Sequence, residues 1–284
     1  MELQALRTFL AVVDEGGVQA ASKALHTVQS NVTSRIKRLE QELGTELFYR
    51  RGRGLALSPS GKELVKHARQ LLQLENTASM AVRQVGEQTG ELRIGTMETF
   101  ASFRLPGALK QLRQQHPGVQ FRIESETSAA LLERLLAHKI DCAFVGGAVD
   151  HPELLATQVL TEELVLVHGK GVHTEEPALI LFREGCVYRE RALIWQRQSG
   201  FAGGRVMELG TLDGIIGCVS IGLGSTLMPR WVVEQSRYRD ELLVEPIEPQ
   251  LARVPTLMVR HRMGAALTAL ETLERAVAAQ ARAA

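Results

Sequence analysis

Long apolar runs are what this 284-residue chain most plainly lacks. No stretch approaches the ~18 apolar residues that a membrane-crossing helix needs. Residues 1–17 are acidic and helical in pattern, without the basic start, apolar centre or small-residue cleavage site of a secretory signal. A cytoplasmic chain with no membrane partner is expected. Cysteine is scarce as well. Cys142, Cys186 and Cys218 are scattered and odd in number, which excludes a disulfide framework. No C-x-x-C occurs, and the nearest histidine pair, His168 and His173, has no further ligand at a useful spacing, so no metal site is expected. The chain also has no G-x-G-x-x-G, no P-loop lysine and no G-x-S-x-G elbow, so an enzyme is not the expected reading. Disorder needs few apolar residues and a large net charge. With 45% hydrophobic residues and a formal charge of +1, the chain has neither.

The charge is unevenly spread. Residues 20–69 hold ten basic and four acidic side chains, a local excess of +6. A concentrated basic patch is the electrostatic footprint of nucleic-acid binding, although a solvated basic face gives the same count. The helical pattern narrows the choice. Leu3, Leu6, Leu10 and Val13 recur at helical spacing and Gly16-Gly17 stop that helix. A short Ala-rich helix, VQAASKAL, follows, and His26-Thr27 break it. A third helix places Val28, Val32, Ile36, Leu39 and Leu43 on one face and stops at Gly44. Its other face carries Gln29, Ser30, Asn31, Thr33, Ser34, Arg35, Lys37 and Arg38. Hydrogen-bonding side chains suited to base edges come first and cations suited to phosphates follow, the order a recognition helix needs in a major groove. Next, Leu47-Phe48 and Leu55-Ala56-Leu57 flank glycines and Arg50, Arg51 and Arg53. That reads as a two-stranded wing with a basic tip able to reach a minor groove.

The stretch AASKALHTVQSNVTSRIKRLEQELGTELFYRRGRGLALSPSG resembles the winged helix-turn-helix of LysR-type transcriptional regulators. The likeness includes Arg38-Leu39-Glu40, Leu43-Gly44, Leu47-Phe48, Arg50 and Pro59-x-Gly61. It implies that Gln29, Ser30, Thr33 and Ser34 face bases and that Arg53 enters the minor groove. Thr33 and Ser30 stand where the family usually has Ser and often Pro.

From residue 62 to 85 no Pro or Gly interrupts. Leu64, Ala68, Leu71, Glu75, Ala78, Val82 and Val85 alternate spacings of four and three, a heptad seam with one polar member. The seam either pairs with a second copy or packs on its own domain. The resemblance favours dimerisation, and two-fold pairing predicts double-stranded DNA with inverted half-sites. GEQTG, residues 86–90, reads as a hinge. The expected organisation is thus a winged helix-turn-helix over 1–58, a linker helix and hinge over 59–90, and a third region over 91–284.

That last region alternates strand and helix patterns: ELRIGTM, FRLPGALKQLRQQ, VQFRIESET, SAALLERLLAHKI, DCAFVGG. A second round runs from LVLVHGK through ALILF, RVMEL and DGIIGCVSIGLGSTLMP to TLMVRHR and a last Ala-rich helix over 265–281. Alternation of this kind implies parallel βαβ units. The order resembles the LysR effector domain, built like a periplasmic solute-binding protein. Leu92-x-Ile94-Gly95, Leu105-Pro106, His116-Pro117, Asp141 and Gly222-Leu223-Gly224 carry the likeness. It implies two Rossmann-like α/β lobes, about 91–161 with 263–284, and about 162–262, with two strands crossing between them. It also implies a small-molecule effector and no other cofactor, a homodimer or homotetramer, and contact with RNA polymerase. A solute-binding protein alone would not carry the N-terminal segment.

In open α/β sheets ligands bind beyond the carboxyl ends of strands. Hydroxyls gather there at Thr96-Met97-Glu98-Thr99, Thr127-Ser128 and Thr211, either as helix caps or as a cleft lining, or as both, since a cap leaves nearby amides free to meet an anion. Gly146, at the end of the DCAFVGG strand, and Cys186 and Tyr188, after ALILF, join the expected effector residues. Glu98 opposes an anion. It pairs with a ligand amine or points to solvent. Arg183, Arg189 and Arg191 surround Cys186 and could lower its thiol pKa, as a peroxide sensor needs. Trp195, however, stands where such sensors have their second cysteine.

Overall fold

The computed structural model describes residues 1–51, 54–84, 90–171, 178–199, 204–262 and 268–283. They form two compact units, Met1–Val82 and Arg83–Ala284.

In the first unit α1 (Leu3–Asp14), α2 (Val18–Ala24) and α3 (Gln29–Leu43) are followed by β1 (Phe48–Arg51), β2 (Gly54–Leu57) and the long α4 (Pro59–Gln84). Glycines stop α1 and α3 as expected. Gly16 has φ +74° and Gly44, at the end of α3, φ +66°, values that cost a side chain strain. Leu6, Phe9 and Val12 of α1, Ala21 of α2, and Val32, Ile36 and Leu39 of α3 close one apolar core with Leu47. Val28 and Leu43 do not join it. They are 59% and 40% exposed, because the ends of α3 overhang the core.

Two polar residues set the wing. Glu40 turns back to accept hydrogen bonds from the Leu47 amide at 2.8 Å and the Phe48 amide at 3.3 Å. β1 and β2 then pair antiparallel from Phe48 opposite Leu57 to Arg51 opposite Gly54. Ser58 closes the return. Its amide donates to the Leu47 carbonyl at 2.9 Å, and its hydroxyl donates to the Glu46 carbonyl at 2.7 Å while accepting from the Gly61 amide at 2.8 Å. That last bond caps α4.

The heptad seam of α4 divides. Leu64 and Ala68 pack on the core of their own unit. Arg69 pairs with Asp14 at 2.8 Å, and Glu75 pairs with Arg7. Beyond them Leu71, Leu74 and Ala78 are exposed and Val82 is 73% exposed. Val85 and residues 86–89 of the expected hinge lie outside the described residues.

The second unit runs β3 (Gly90–Thr96), α5 (Glu98–Phe103), α6 (Leu105–Gln115), β4 (Val119–Ser125), α7 (Ser128–Leu136), β5 (Cys142–Gly146), β6 (Leu154–Gly169), β7 (Leu179–Leu181), α8 (Val187–Gln198), β8 (Val206–Glu208), α9 (Leu212–Ser220), β9 (Thr226–Pro229), α10 (Arg230–Glu234), β10 (Leu242–Pro246), α11 (Pro249–Ala252), β11 (Arg253–His261) and α12 (Thr268–Ala283). The helix expected over FRLPGALKQLRQQ is α6, preceded by a short α5 that ends at Phe103, with Pro106 in the first turn of α6, where a missing N–H costs nothing.

A seven-stranded sheet takes the order β10-β6-β11-β5-β3-β4, with β9 also on β6. β3 pairs parallel with β4 and β5, as βαβ units require. LVLVHGK does not open a second parallel round. It is the latter half of β6, a 16-residue strand that pairs antiparallel with β11, β9 and β10. β6 and β11 are the two crossing strands. One expected lobe boundary, 161/162, therefore falls inside β6, and the other just after β11. Among the described residues, parallel pairing in the second half is confined to β7 with β8 and a bridge from Leu179 to Ser225. Each half has its own core. Leu131, Leu135 and Ala143 belong to the first, and Leu164, Ile180, Ile216 and Met228 to the second. Among the described residues no helix is long and apolar enough to cross a membrane.

Candidate functional site

The outward arc of α3 is the first site. Gln29, Ser30, Asn31, Thr33, Ser34, Arg35, Lys37 and Arg38 are all exposed, while Val32, Ile36 and Leu39 anchor the opposite arc. The polar groups are not equally available. Thr33 Oγ1 donates to the Gln29 carbonyl at 2.9 Å, and Asn31 Nδ2 donates to Thr27 Oγ1 at 3.2 Å. Arg38 lies 3.4 Å from Glu2 and 3.5 Å from Glu42. Gln29, Ser30, Ser34, Arg35 and Lys37 meet no side-chain partner among the described residues. No acidic residue stands in the first turn, so the positive end of the helix dipole is uncompensated and open to an anion. Arg50 and Arg51 lie on β1. Arg53 is outside the described residues.

The second site is a cavity of about 80 Å³ between the two halves of the second unit. Its lining comes from the carboxyl ends of parallel strands. Met97, Glu98 and Thr99 follow β3, and Ser125, Glu126, Thr127 and Ser128 end β4 and begin α7. Phe182 and Arg183 follow β7 with Cys186 and Tyr188, and Gly210 follows β8. Thus the structure brings Met97, Glu98, Thr99, Thr127, Ser128, Cys186 and Tyr188 together as the sequence implied. It sets three expected residues one layer back. Thr96 is wholly buried, with its hydroxyl on the Met97 carbonyl at 3.2 Å. The Gly146 amide donates to Ser128 Oγ at 3.0 Å, and a side chain there would run into Val187 at 2.6 Å. Thr211 caps α9 through the Gly214 amide at 3.3 Å. Ser125, Glu126, Phe182 and Gly210 were not singled out from sequence, and Arg183 was named only as a neighbour of Cys186. Each adjoins a residue or strand that was singled out.

Gly185 draws the two halves together. It has φ +85°, and a Cβ there would lie 2.9 Å from both Ala129 Cβ and Thr127 Oγ1. Its carbonyl accepts from the Ala129 amide at 3.2 Å. Tyr188 lines the cavity, but its hydroxyl is buried with Thr99 against it and makes no hydrogen bond of ordinary geometry.

Cys186 does not have the environment of a reactive thiol. Burial pushes its pKa up, outweighing the amides of Arg189 and Tyr188 that favour the thiolate. The three arginines are engaged elsewhere. Arg183 pairs with Glu126 at 3.1 Å, Arg189 with Glu208 at 3.0 Å, and Arg191 donates to the Gln250 carbonyl at 2.9 Å. Cys142 is buried, and Cys218 is half-buried rather than enclosed.

Behind Tyr188 lies Glu162, buried and accepting a hydrogen bond from Trp231 Nε1. Burial raises its carboxyl above the ordinary 4.5, against the Trp231 bond and the Arg104 guanidinium, which favour ionisation. A raised folded-state value means stability that is fully present below the ordinary value and lost as pH rises through the folded one. Glu162→Gln keeps an acceptor for Trp231 and removes the titration. The melting temperature of that variant relative to wild type is expected to climb as pH is raised from about 4.5 to about 8. Parallel melting curves across that range would contradict the assignment.

Residues 3–62 match the profile described as bacterial regulatory helix-turn-helix protein, lysR family, and residues 86–282 match the LysR substrate binding domain. The HTH-type transcriptional regulator YusT of Bacillus subtilis (strain 168) is 38% identical over 276 residues, which is 96% of this chain and 94% of YusT. Among solved structures, a substituted full-length OxyR from Pseudomonas aeruginosa matches with a TM-score of 0.71 at 20% identity, covering 98% of this chain and 94% of that one. Full-length CbnR, solved with its target DNA, matches at 0.64 and 21%, covering 98% and 99%. These two likenesses show the fold. Two profiles that together span nearly the whole chain, and a relative aligned almost end to end, place this chain in the LysR family of bacterial helix-turn-helix transcriptional regulators.

Proposed function

We propose that the chain reads an inverted-repeat operator in double-stranded DNA through α3 and the wing, and that a small molecule in the cavity of the second unit sets its output. The observation that carries the DNA reading is the exposed arc of α3, with hydrogen-bonding groups at its start and Arg35 and Lys37, unpaired among the described residues, after them. CbnR, of similar fold, was solved on its target DNA. Positioning of the cavity at strand carboxyl ends supports the ligand reading. Ligand binding favours one arrangement of the two halves by the difference in its affinity for the two states. In the cytoplasm that difference reaches transcription through DNA geometry and contact with RNA polymerase.

The test is selection of bound duplexes from a random pool by the purified full-length chain. Two half-sites in inverted orientation are expected, with centres about one helical turn or a multiple apart. A pool with no enriched sequence contradicts the proposal.

The exposed Leu71, Leu74, Ala78 and Val82 give α4 an apolar strip without cover among the described residues, which supports a homodimer or homotetramer joined there. Leu74→Glu with Val82→Glu is expected to weaken self-association by about tenfold or more, since each places a charge in an apolar seam. Sedimentation equilibrium reads it. An unchanged association constant would move the interface elsewhere.

A further inference from the structure

The surroundings of the ligand cavity decide the charge of its occupant. Helix starts and hydroxyls line it, an arrangement that suits anions when the amides are free. Here several of those in α7 and α8 are engaged. In α7 the Ala129 amide donates to the Gly185 carbonyl at 3.2 Å, the Ala130 amide to Thr127 Oγ1 at 3.5 Å and the Leu131 amide to the Thr127 carbonyl at 3.0 Å. At α8 the Tyr188 and Arg189 amides lie against the Cys186 thiol, and the Cys186 carbonyl takes the Glu190 amide at 3.2 Å.

The charges point the same way. The lining holds two carboxylates, Glu98 and Glu126, and one cation, Arg183. Arg183 is paired with Glu126 at 3.1 Å. Glu98 is left with a neutral partner, the Ser125 hydroxyl at 3.1 Å, and meets no cation among the described residues. A carboxylate at the wall of a partly enclosed cavity repels an anionic ligand and attracts a cationic one more strongly than it would in open water.

We propose that the cavity takes a small molecule carrying a protonated amine, which donates to Glu98. This rests on the reading of the cavity as the effector site. It names the ligand's chemistry: an amine or an amino acid fits, and a dicarboxylate does not.

Three probes of matched length test it: 4-aminobutanoate, 1,4-diaminobutane and butanedioate. Binding to the full-length chain is followed by calorimetry and by the rise in melting temperature, which a folded-state ligand must cause. The two amines are expected to bind saturably and the dianion not. Glu98→Gln is expected to weaken the amines about tenfold, the usual weight of a hydrogen bond to a charged group. Glu98→Ala guards against compensation by the new amide. Ser125→Trp, at an exposed position on the cavity mouth, is expected to abolish binding by filling it. Melting of each variant without ligand reports whether the fold is kept. Preference for butanedioate, amine affinity unchanged in both Glu98 variants, or no amine binding at millimolar concentration overturns the proposal. Probe binding that is lost in Ser125→Trp but indifferent to Glu98 leaves the effector site standing and removes only the charge assignment. Binding indifferent to Ser125→Trp removes the site itself.

Discussion

Gly61→Ala is expected to lower the melting transition of the DNA-binding unit on the order of 10 °C, although alanine is the better helix former. The two effects oppose each other. Gly61 lies in the first turn of α4, where replacing glycine by alanine ordinarily gains up to about 1 kcal/mol. A Cβ at this position, however, would run into the Leu47 carbonyl oxygen and lie 2.8 Å from Leu57 Cδ2. The oxygen is backbone and cannot swing aside. It also accepts the Ser58 amide, so moving it loosens the bond that returns the wing to α4. Overpacking of this kind costs about 1–3 kcal/mol or more. In a unit of this size about 2 kcal/mol net corresponds to roughly 10 °C. Calorimetry on the full chain reads the shift. Lys62→Ala, the exposed neighbour, should leave the transition nearly unmoved. A rise in melting temperature for Gly61→Ala would mean that α4 starts elsewhere.

Gly61 also shows why so much of this fold was legible. Most residues that carried the family likeness are explained by packing or by backbone hydrogen bonds. Glu40 holds the start of β1. Asp141 joins β3 to β5 by accepting from the Arg93 amide at 2.8 Å and from its guanidinium at 2.7 Å. A Cβ on Gly95 would lie 2.5 Å from Leu131, so a side chain there would push α7 off the sheet. Such requirements are local, and a sequence displays them directly. The helices of the first unit were equally plain, because their apolar period and glycine stops agree.

What was not legible depends on direction or distance. The first half of β6 mixes buried and exposed residues irregularly, so no alternation announced that it continues into LVLVHGK as one strand. A run of hydroxyls at a strand end does not say which of them faces the cleft. The pleat of β3 turns Thr96 into the core, while the helix starts that follow the strands bring Thr99 and Thr127 to the cavity. The seam of α4 could not show where self-packing stops, since Leu64 and Leu71 look alike in sequence and differ only in how far the core reaches. The arginines near Cys186 looked like an activating cluster. Their guanidinium groups are taken by Glu126, Glu208 and the Gln250 carbonyl, and burial then sets the thiol.

The same distinction between free and engaged groups sorts the recognition helix. On the operator selected by the chain, Arg35→Ala and Lys37→Ala are each expected to weaken binding at every sequence alike and to lower the salt slope by about 0.9, the value of one released phosphate counterion. Arg38→Ala should do less, because its guanidinium is already shared between Glu2 and Glu42, and part of what DNA would gain must first be taken from those carboxylates. Gln29→Ala should act differently. Its amide is exposed at the start of α3 without a side-chain partner among the described residues. Losing a bidentate base contact costs about 1–3 kcal/mol and relaxes preference at one base pair while the salt slope stays. Thr33 sits one turn on, but its hydroxyl proton is given to the Gln29 carbonyl. What it still offers a base is its methyl group and an acceptor lone pair, so Thr33→Val, which keeps the methyl, should lose less affinity than Gln29→Ala. Fluorescence anisotropy across several salt concentrations, on the operator and on single-base variants, separates these outcomes. A salt slope that falls for Gln29→Ala and not for Lys37→Ala would mean that α3 lies in the groove with a different arc inward.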